Sequence, residues 1–427
     1  MFALDPLFGR IIKVGHLVVT DHRGRLHHYG DESAAVDAAI RIHTSSAAWR
    51  IGRSPSYNIG AAYTDGDLTV EKGTLLSLIG LLLRNTAEMN TKAATRLIYR
   101  LEELLTTPAL LNWASRSRRN VAHHYDLSGA LFSLFLDRDR QYSCAYYRDP
   151  HDDIEDAQLA KKQHIAAKLL IHPGHHILDI GCGWGGLALY LAEHYPDVRI
   201  TGLTLSQEQF AAATERARQA GLADRVTFKL ADYRRETATY DRIVSVGMFE
   251  HVGKPQFGTF FEKVKRLLKP DGVALIHTIC YQTPPATINS WLRHNIFPGA
   301  YLPALSQLAP QIEGRGFWLT DLEPLRLHYA QTLAAWHQRF QANRAQIAAL
   351  YDERFCRMWE FYLQSCEAGF RWGGLTVLQM QIARTIDAVP VTRDYMMREE
   401  SRLRAVDGAS LPVLHRHAEQ RTRDARH

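Results

Sequence analysis

Glu250 and His251 put a carboxylate and an imidazole side by side inside "SVGMFEHVG", the stretch from Ser245 to Gly253. The preceding "DRIVSVG" is an apolar run of strand length, so the pair falls in a loop at a strand end, where α/β enzymes keep their chemistry. A glutamate there can take a proton or accept a hydrogen bond, or it can simply cap the next helix. A second stretch, "HILDIGCGWGG", reads as a buried strand entering a glycine turn and then a helix. Gly181 and Gly183 let a ligand approach the backbone closely, and the helix N-terminus offers free N–H groups. Such a loop alone suits either a dinucleotide or S-adenosylmethionine (SAM). A dinucleotide site calls for a small third residue and an acid at the end of the second strand. Here Trp184 is bulky, and the second strand ends "GLTLSQEQ" without an acid. Asp179 ahead of the glycines favours SAM, as does Asp232 in "LADY" after the third strand, where it could hold an adenine amino group.

The elements that position these residues alternate regularly from His176. "HILDI", "VRITGLTL", "RVTFKL", "YDRIVSVG" and "GVALIHTI" read as strands, with helices at "WGGLALYLAEHY", "SQEQFAAATERARQA" and "QFGTFFEKVKRLL". That rhythm predicts an α/β fold with a doubly wound parallel sheet. Upstream, "HLVVTDHRGRLHHYG" predicts a hairpin, "AAVDAAIRIH" and "SYNIGAAYTDGDLTV" further strands, and Lys72 to about Leu105 a helix. Residues 1–112 thus form a small α/β domain, joined through the basic "WASRSRRN" to a catalytic unit over 113–400. After the alternating elements, and still within that unit, "TLAAWHQRFQANRAQIAALYDERFCRMWEFYLQSC" predicts a long helical stretch whose Leu333, Trp336, Phe340, Ile347 and Leu350 form a packing face. The tail, 401–427, is rich in Arg and His and reads as mobile.

The bulk properties narrow the partners. The 427 residues carry a formal net charge of +6, which suits nucleic acid, an anionic membrane surface, or solubility alone. Five cysteines lie scattered without CxxC pairing, so free thiols, a reducing cytoplasm and no metal site are expected. "MFALDPLFGR" is broken by Pro6 before any signal-peptide core could build. "LLSLIGLLL", Leu75 to Leu83, falls well short of the roughly 20 residues a spanning helix needs.

With these segments in place the sequence resembles the cyclopropane-fatty-acid synthase family of SAM-dependent methyltransferases. The resemblance runs in order through "HHYDLSGALFSLFLD", "QYSCAYY", "LDIGCGWGGLA", "GLTLSQEQ", "DYR", "DRIVSVGMFEHVG", "LIHTI" and "HYAQTLAAWHQRF", over roughly residues 120–385. "YSCAYY" together with "GMFEHVG" is far more specific than the glycine loop. The N-terminal region is similar to the extra domain of the bacterial phospholipid-acting members. The resemblance implies a Rossmann-like class I SAM methyltransferase domain that moves a methyl carbon onto a cis double bond in an acyl chain of a membrane phospholipid. It also implies peripheral attachment to the inner face of an anionic membrane, and it is compatible with a homodimer. An alkene is a weak nucleophile and must be aligned closely with the sulfonium carbon. The resulting carbocation needs a dry, aromatic pocket, and a proton must then leave the transferred methyl.

In the family the base is a bound bicarbonate. Carried over by motif, its cage is Cys144, Glu250, His277, the backbone of Ile279, and Tyr329. Glu250 beside an anion is a puzzle that resolves if it accepts a hydrogen bond from bicarbonate's own O–H. The resemblance places Tyr142 and Ser143 near the cofactor's methionine part, with Asp179, Gly181 and Gly183 beneath it. Thr204, Leu205 and Gln209 fall at the ribose, and Asp232 and Tyr233 at the adenine. His251 is assigned a structural role pointing elsewhere, and Cys182 and Cys280 are packing residues. Tyr147 and Cys280 depart from the commonest family pattern and bear on the acyl pocket. The rival readings are a lipid C-methyltransferase making a methyl or methylene branch, a non-catalytic lipid-binding protein, and a nucleic-acid methyltransferase. The last lacks a "DPPY"-like motif, so no nucleic-acid partner is expected.

Overall fold

The computed structural model describes residues 4–87 and 129–410. Its N-terminal elements build a four-stranded sheet in the order β2-β1-β3-β4, from β1 (His16–Thr20), β2 (Leu26–Gly30), β3 (Ala38–Ile42) and β4 (Leu68–Lys72). The expected hairpin is present, with β1 and β2 antiparallel around the Asp21–Arg25 turn. "SYNIGAAYTDGDLTV" is not strand throughout: Pro55–Asp65 is a helix, closed by Gly66 at φ 80°, and only its end enters β4. Alternation of Tyr57, Ile59, Ala61 and Tyr63 mimics a strand, but tertiary contact decides otherwise. Gly60 lies so close to Trp291 and Phe361 that a Cβ there would sit 2.7 Å from each ring. The leucine-rich helix starts at Leu75, and Leu75, Leu78, Ile79 and Leu81 are buried in the core. Its expected continuation to Leu105 and the "WASRSRRN" junction lie outside the described residues.

The second sheet has seven strands in the order β10-β11-β9-β8-β5-β6-β7. β5 (His176–Ile180), β6 (Arg199–Thr204), β7 (Val226–Leu230), β8 (Tyr240–Val246) and β9 (Leu268–Tyr281) are mutually parallel, as their sequence rhythm implies. Two further strands, β10 (Trp318–Pro324) and β11 (Leu375–Ala383), complete the sheet, and β11 runs antiparallel to both neighbours. The sheet is therefore mixed, not purely parallel. β5 lies between β6 and β8, so the chain reverses its direction of winding there and opens a crevice at the carboxyl ends of those strands.

The long helical stretch divides into His328–Ala342, Arg344–Leu350 and Glu353–Trp372, the last capped by Asp352 accepting from the Phe355 N–H at 2.6 Å. Leu333, Trp336, Phe340 and Ile347 are buried as expected, whereas Leu350 is half exposed because its helix ends there. Glu353–Trp372 also joins the two sheets: its Arg357 donates to the Thr64 carbonyl at 2.9 Å, and one hydrophobic core runs from Phe8 and Ile40 through Trp359 to Trp336. The expected mobile tail is ordered through its first turns. Asp394–Ser410 is a helix whose Leu403 is fully buried and whose Asp407 accepts from Tyr190 and Gln163. Residues 411–427 lie outside the described part.

Candidate active site

Each nucleotide-type motif sits where a strand of the second sheet ends. Gly181 and Gly183 leave β5 with φ of 85° and 54°, a left-handed geometry that side chains resist. A Cβ on Gly181 would meet Met248 at 2.8 Å, while one on Gly183 would meet no protein atom within 4 Å and would project into free space. One cavity opens above this loop. It is lined by all ten residues expected at the cofactor: Tyr142, Ser143, Asp179, Gly181, Gly183, Thr204, Leu205, Gln209, Asp232 and Tyr233. Ser206 caps the helix Gln207–Gln219 by accepting from the Gln209 N–H, and the Thr204 hydroxyl donates to Gln209 Oε1 at 2.9 Å. Asp232 is more engaged than its sequence context implies. It accepts two bonds from the Arg234 guanidinium, at 2.9 and 2.6 Å, which hold its carboxyl below the ordinary carboxylate range despite burial.

Glu250 turns away from that cavity although its neighbours line it. Gly247, Met248, His251 and Val252 face the cavity, whereas the Glu250 carboxylate reaches β9 and accepts from the Ile279 N–H at 2.6 Å. It caps no helix. Its second oxygen, Oε2, is buried and has no hydrogen-bond partner among the described residues. Burial pushes its pKa from 4.5 up to about 7, against the pull of the Ile279 N–H. His277 is two residues earlier on β9 and buried, and burial holds it well below the usual histidine range, so it is neutral. Tyr329 and Cys144 are likewise kept protonated by burial, and the Tyr329 phenol lies within the electrostatic reach of Tyr142, Cys144 and Glu250. The segment carrying Cys144 is fixed by the Ala145 N–H donating to Thr332 Oγ1 at 3.0 Å.

Aromatic rings enclose this region. Tyr142 stacks on Trp336 with centroids 5.2 Å apart, and its hydroxyl meets that of Tyr362 at 2.6 Å. Tyr329 leans on Phe370 at 4.7 Å. The Tyr147 hydroxyl is buried without a partner among the described residues, and Cys280 is buried with its thiol pushed up to about 12.

Three residues were not assigned to the site from sequence. His251 does not point elsewhere: it lines the cavity above the glycine loop, and burial lowers its pKa to about 4. Gln379, fully buried on β11, is the register partner of His277 and contacts its Nδ1 at 3.2 Å. Lys161 is buried on the helix Ile154–Leu169 and faces the cavity. Lys161 and Gln379 occupy elements whose pattern marks only core, so nothing local distinguishes them.

Residues 113–380 match the sequence model of a family described as mycolic acid cyclopropane synthetase. The chain belongs to the mycolic acid cyclopropane synthetase family. It is therefore a SAM-dependent methyltransferase of the class I fold. Among cyclopropane synthetase relatives, the cyclopropane-fatty-acyl-phospholipid synthase of Escherichia coli (strain K12) is 38% identical over 359 residues, 83% of this chain and 90% of that protein. A tuberculostearic acid methyltransferase of Mycobacterium tuberculosis is 36% identical over 366 residues, covering 81% and 83%. The solved cyclopropane synthase MmaA2 of Mycobacterium tuberculosis superposes with a TM-score of 0.60 at 34% identity, over 62% of this chain and 98% of its own. Mycolic acid cyclopropane synthase CmaA1, solved with SAH and CTAB, gives 0.59 at 35% identity, over 62% and 97%. The N-terminal sheet lies outside the segment that the family model matches.

Proposed function

We propose that the protein converts a cis double bond in an acyl chain of a membrane phospholipid into a cyclopropane ring. The SAM methyl carbon bonds to one alkene carbon, leaving the other cationic. Loss of a proton from that methyl lets its carbon close the ring, for a net gain of one CH₂ and release of S-adenosylhomocysteine and H⁺. The observation that carries this reading is Glu250, a buried carboxylate with one oxygen tied to the Ile279 N–H and the other unpartnered among the described residues. Such an oxygen suits an incoming O–H donor, which fits the expected cage of Cys144, Glu250, His277, Ile279 and Tyr329. A bicarbonate held there would supply the base for the methyl proton. Glu250 would accept its O–H, the Tyr329 phenol and neutral His277 would orient it, and the rings of Tyr142, Trp336 and Phe370 would keep water out while offering their faces to the cation.

The cofactor is held, in this reading, with Tyr142, Ser143, Asp179, Gly181 and Gly183 at its amino-acid end. Thr204, Leu205 and Gln209 take the ribose, and Asp232 and Tyr233 the adenine. The N-terminal sheet, packed on the catalytic part through a shared core, docks on an anionic leaflet in this reading. Its leucines serve the core, so docking falls to basic residues. Arg84 is paired with Asp37 at 3.2 Å, and Lys92, Arg96, Arg100 and the "SRSRR" run lie outside the described residues. A methyl or methylene branch is the second reading, favoured by the identity to the tuberculostearic acid methyltransferase. Mass spectrometry of an unsaturated phospholipid after incubation with SAM decides between them. A gain of one CH₂ with loss of alkene reactivity supports the ring; the same gain with an alkene retained supports a methylene branch, and a gain of CH₂ plus two hydrogens with the alkene lost, which needs an added reductant, supports a saturated methyl branch.

A further inference from the structure

The helix Ile154–Leu169 carries two buried lysines, Lys161 and Lys168, and a partly buried one, Lys162, and they are not partnered alike. Lys162 pairs with Asp139 at 3.0 Å and Lys168 with Asp321 at 3.0 Å. Lys161 is 1% exposed and lines the cofactor cavity, yet no carboxylate of the described residues is close enough to pair with it. Its Nζ donates to Ser143 Oγ at 2.8 Å, which leaves further N–H donors unused. Asp137, Asp139 and the cavity's Asp179 act on it only at longer range, and desolvation lowers its pKa to about 8, so it remains mostly charged at neutral pH.

A buried ammonium with no anion in ion-pair contact costs several kcal/mol. Its retention inside a ligand cavity makes sense if the ligand brings the anion. SAM has one anionic group at neutral pH, the carboxylate of its amino-acid end. Ser143, expected at that end, is the residue that steers the Lys161 ammonium. Asp179, 2% exposed and lining the same cavity, offers the opposite charge to the ligand's own ammonium. The two side chains complement a zwitterion.

We propose that Lys161 is the subsite for the α-carboxylate of the cofactor, with Ser143 as the residue that orients it. This rests on the assignment of the cavity to SAM and is independent of the identity of the lipid product. The test compares binding of S-adenosylhomocysteine with binding of its decarboxylated amine, by calorimetry on the full chain. Wild-type protein should prefer the carboxylate-bearing ligand. Lys161→Met should weaken S-adenosylhomocysteine by roughly 10- to 150-fold, the usual worth of a hydrogen bond to a charged group, and leave the amine unweakened. Equal loss for both ligands would mean a structural lysine and overturn the proposal. So would unchanged affinity for both, the result expected if Lys161 instead serves the small anion near Cys144. If Lys161→Met does not fold, wild-type protein alone decides: failure to discriminate the two ligands refutes the subsite. Binding of neither by wild type would overturn the SAM assignment itself.

Discussion

Replacing Glu250 with Gln should make the protein more stable and nearly inactive at once. The carboxyl is buried, and its pKa is raised from 4.5 to about 7. A raised pKa means that the fold favours the protonated acid. The favourable contribution is complete below pH 4.5 and is lost as pH rises through 7. At roughly 1.4 kcal/mol per pH unit, the ionised carboxylate at pH 8 is worth on the order of 3 kcal/mol of lost stability. Glutamine keeps the shape, and its carbonyl can still accept from the Ile279 N–H, but it never ionises. Thermal denaturation of Glu250→Gln and wild type from pH 5 to 8.5 should therefore show melting temperatures that diverge with pH, the variant higher by a few degrees at the alkaline end. SAM affinity should be unchanged, because Glu250 does not face the cofactor cavity. Turnover should fall by about 10²–10⁴-fold, the usual contribution of a positioned base. A variant destabilised equally at every pH, or one with full turnover, would refute the reasoning.

Tyr329→Phe should likewise lose turnover with SAM affinity intact, and added bicarbonate should restore part of it; wild-type turnover indifferent to stripping bicarbonate from the buffer would rule out the caged anion. Gly183→Val should fold, since its side chain meets no protein atom within 4 Å, but should lose SAM binding by filling ligand space; calorimetry showing wild-type affinity would unseat the loop assignment. Gln379→Leu removes the contact to His277 Nδ1 and should lower turnover about tenfold, the value of one hydrogen bond, with SAM binding preserved. Binding to liposomes should rise with anionic lipid and fall with salt, at about 1 kcal/mol per basic residue engaged; co-sedimentation indifferent to both would remove the electrostatic part.

The local physics of the chain was enough for much of this molecule. Strands β5 to β9 and the helices between them are legible because each has an apolar pattern bounded by turn residues. The glycine loop is legible because backbone approach needs glycine whatever surrounds it. "FEHVG" could be placed at the end of β8 for the same reason. Tertiary structure decided the rest. Pro55–Asp65 became a helix because Trp291 and Phe361 leave room there for a glycine on a helical face. Strands β10 and β11 escaped because β11 pairs with β9 and β10 with β11, partners far away in sequence, and the reversal of β11 leaves no local mark. The carboxylate of Glu250 is identifiable from its motif, but its unpartnered oxygen and raised pKa arise from the burial that β9 and its surroundings impose. Lys161 shows the limit most clearly. In the sequence it is one of two adjacent lysines, "AKKQ", on an ordinary helix. Burial and the nearest opposite charge distinguish them: Lys162 meets Asp139, and Lys161 opens into the cavity without a carboxylate in ion-pair contact among the described residues. Charge pairing across elements is a property of the folded chain, because Coulomb energy and desolvation depend on distances that only packing sets.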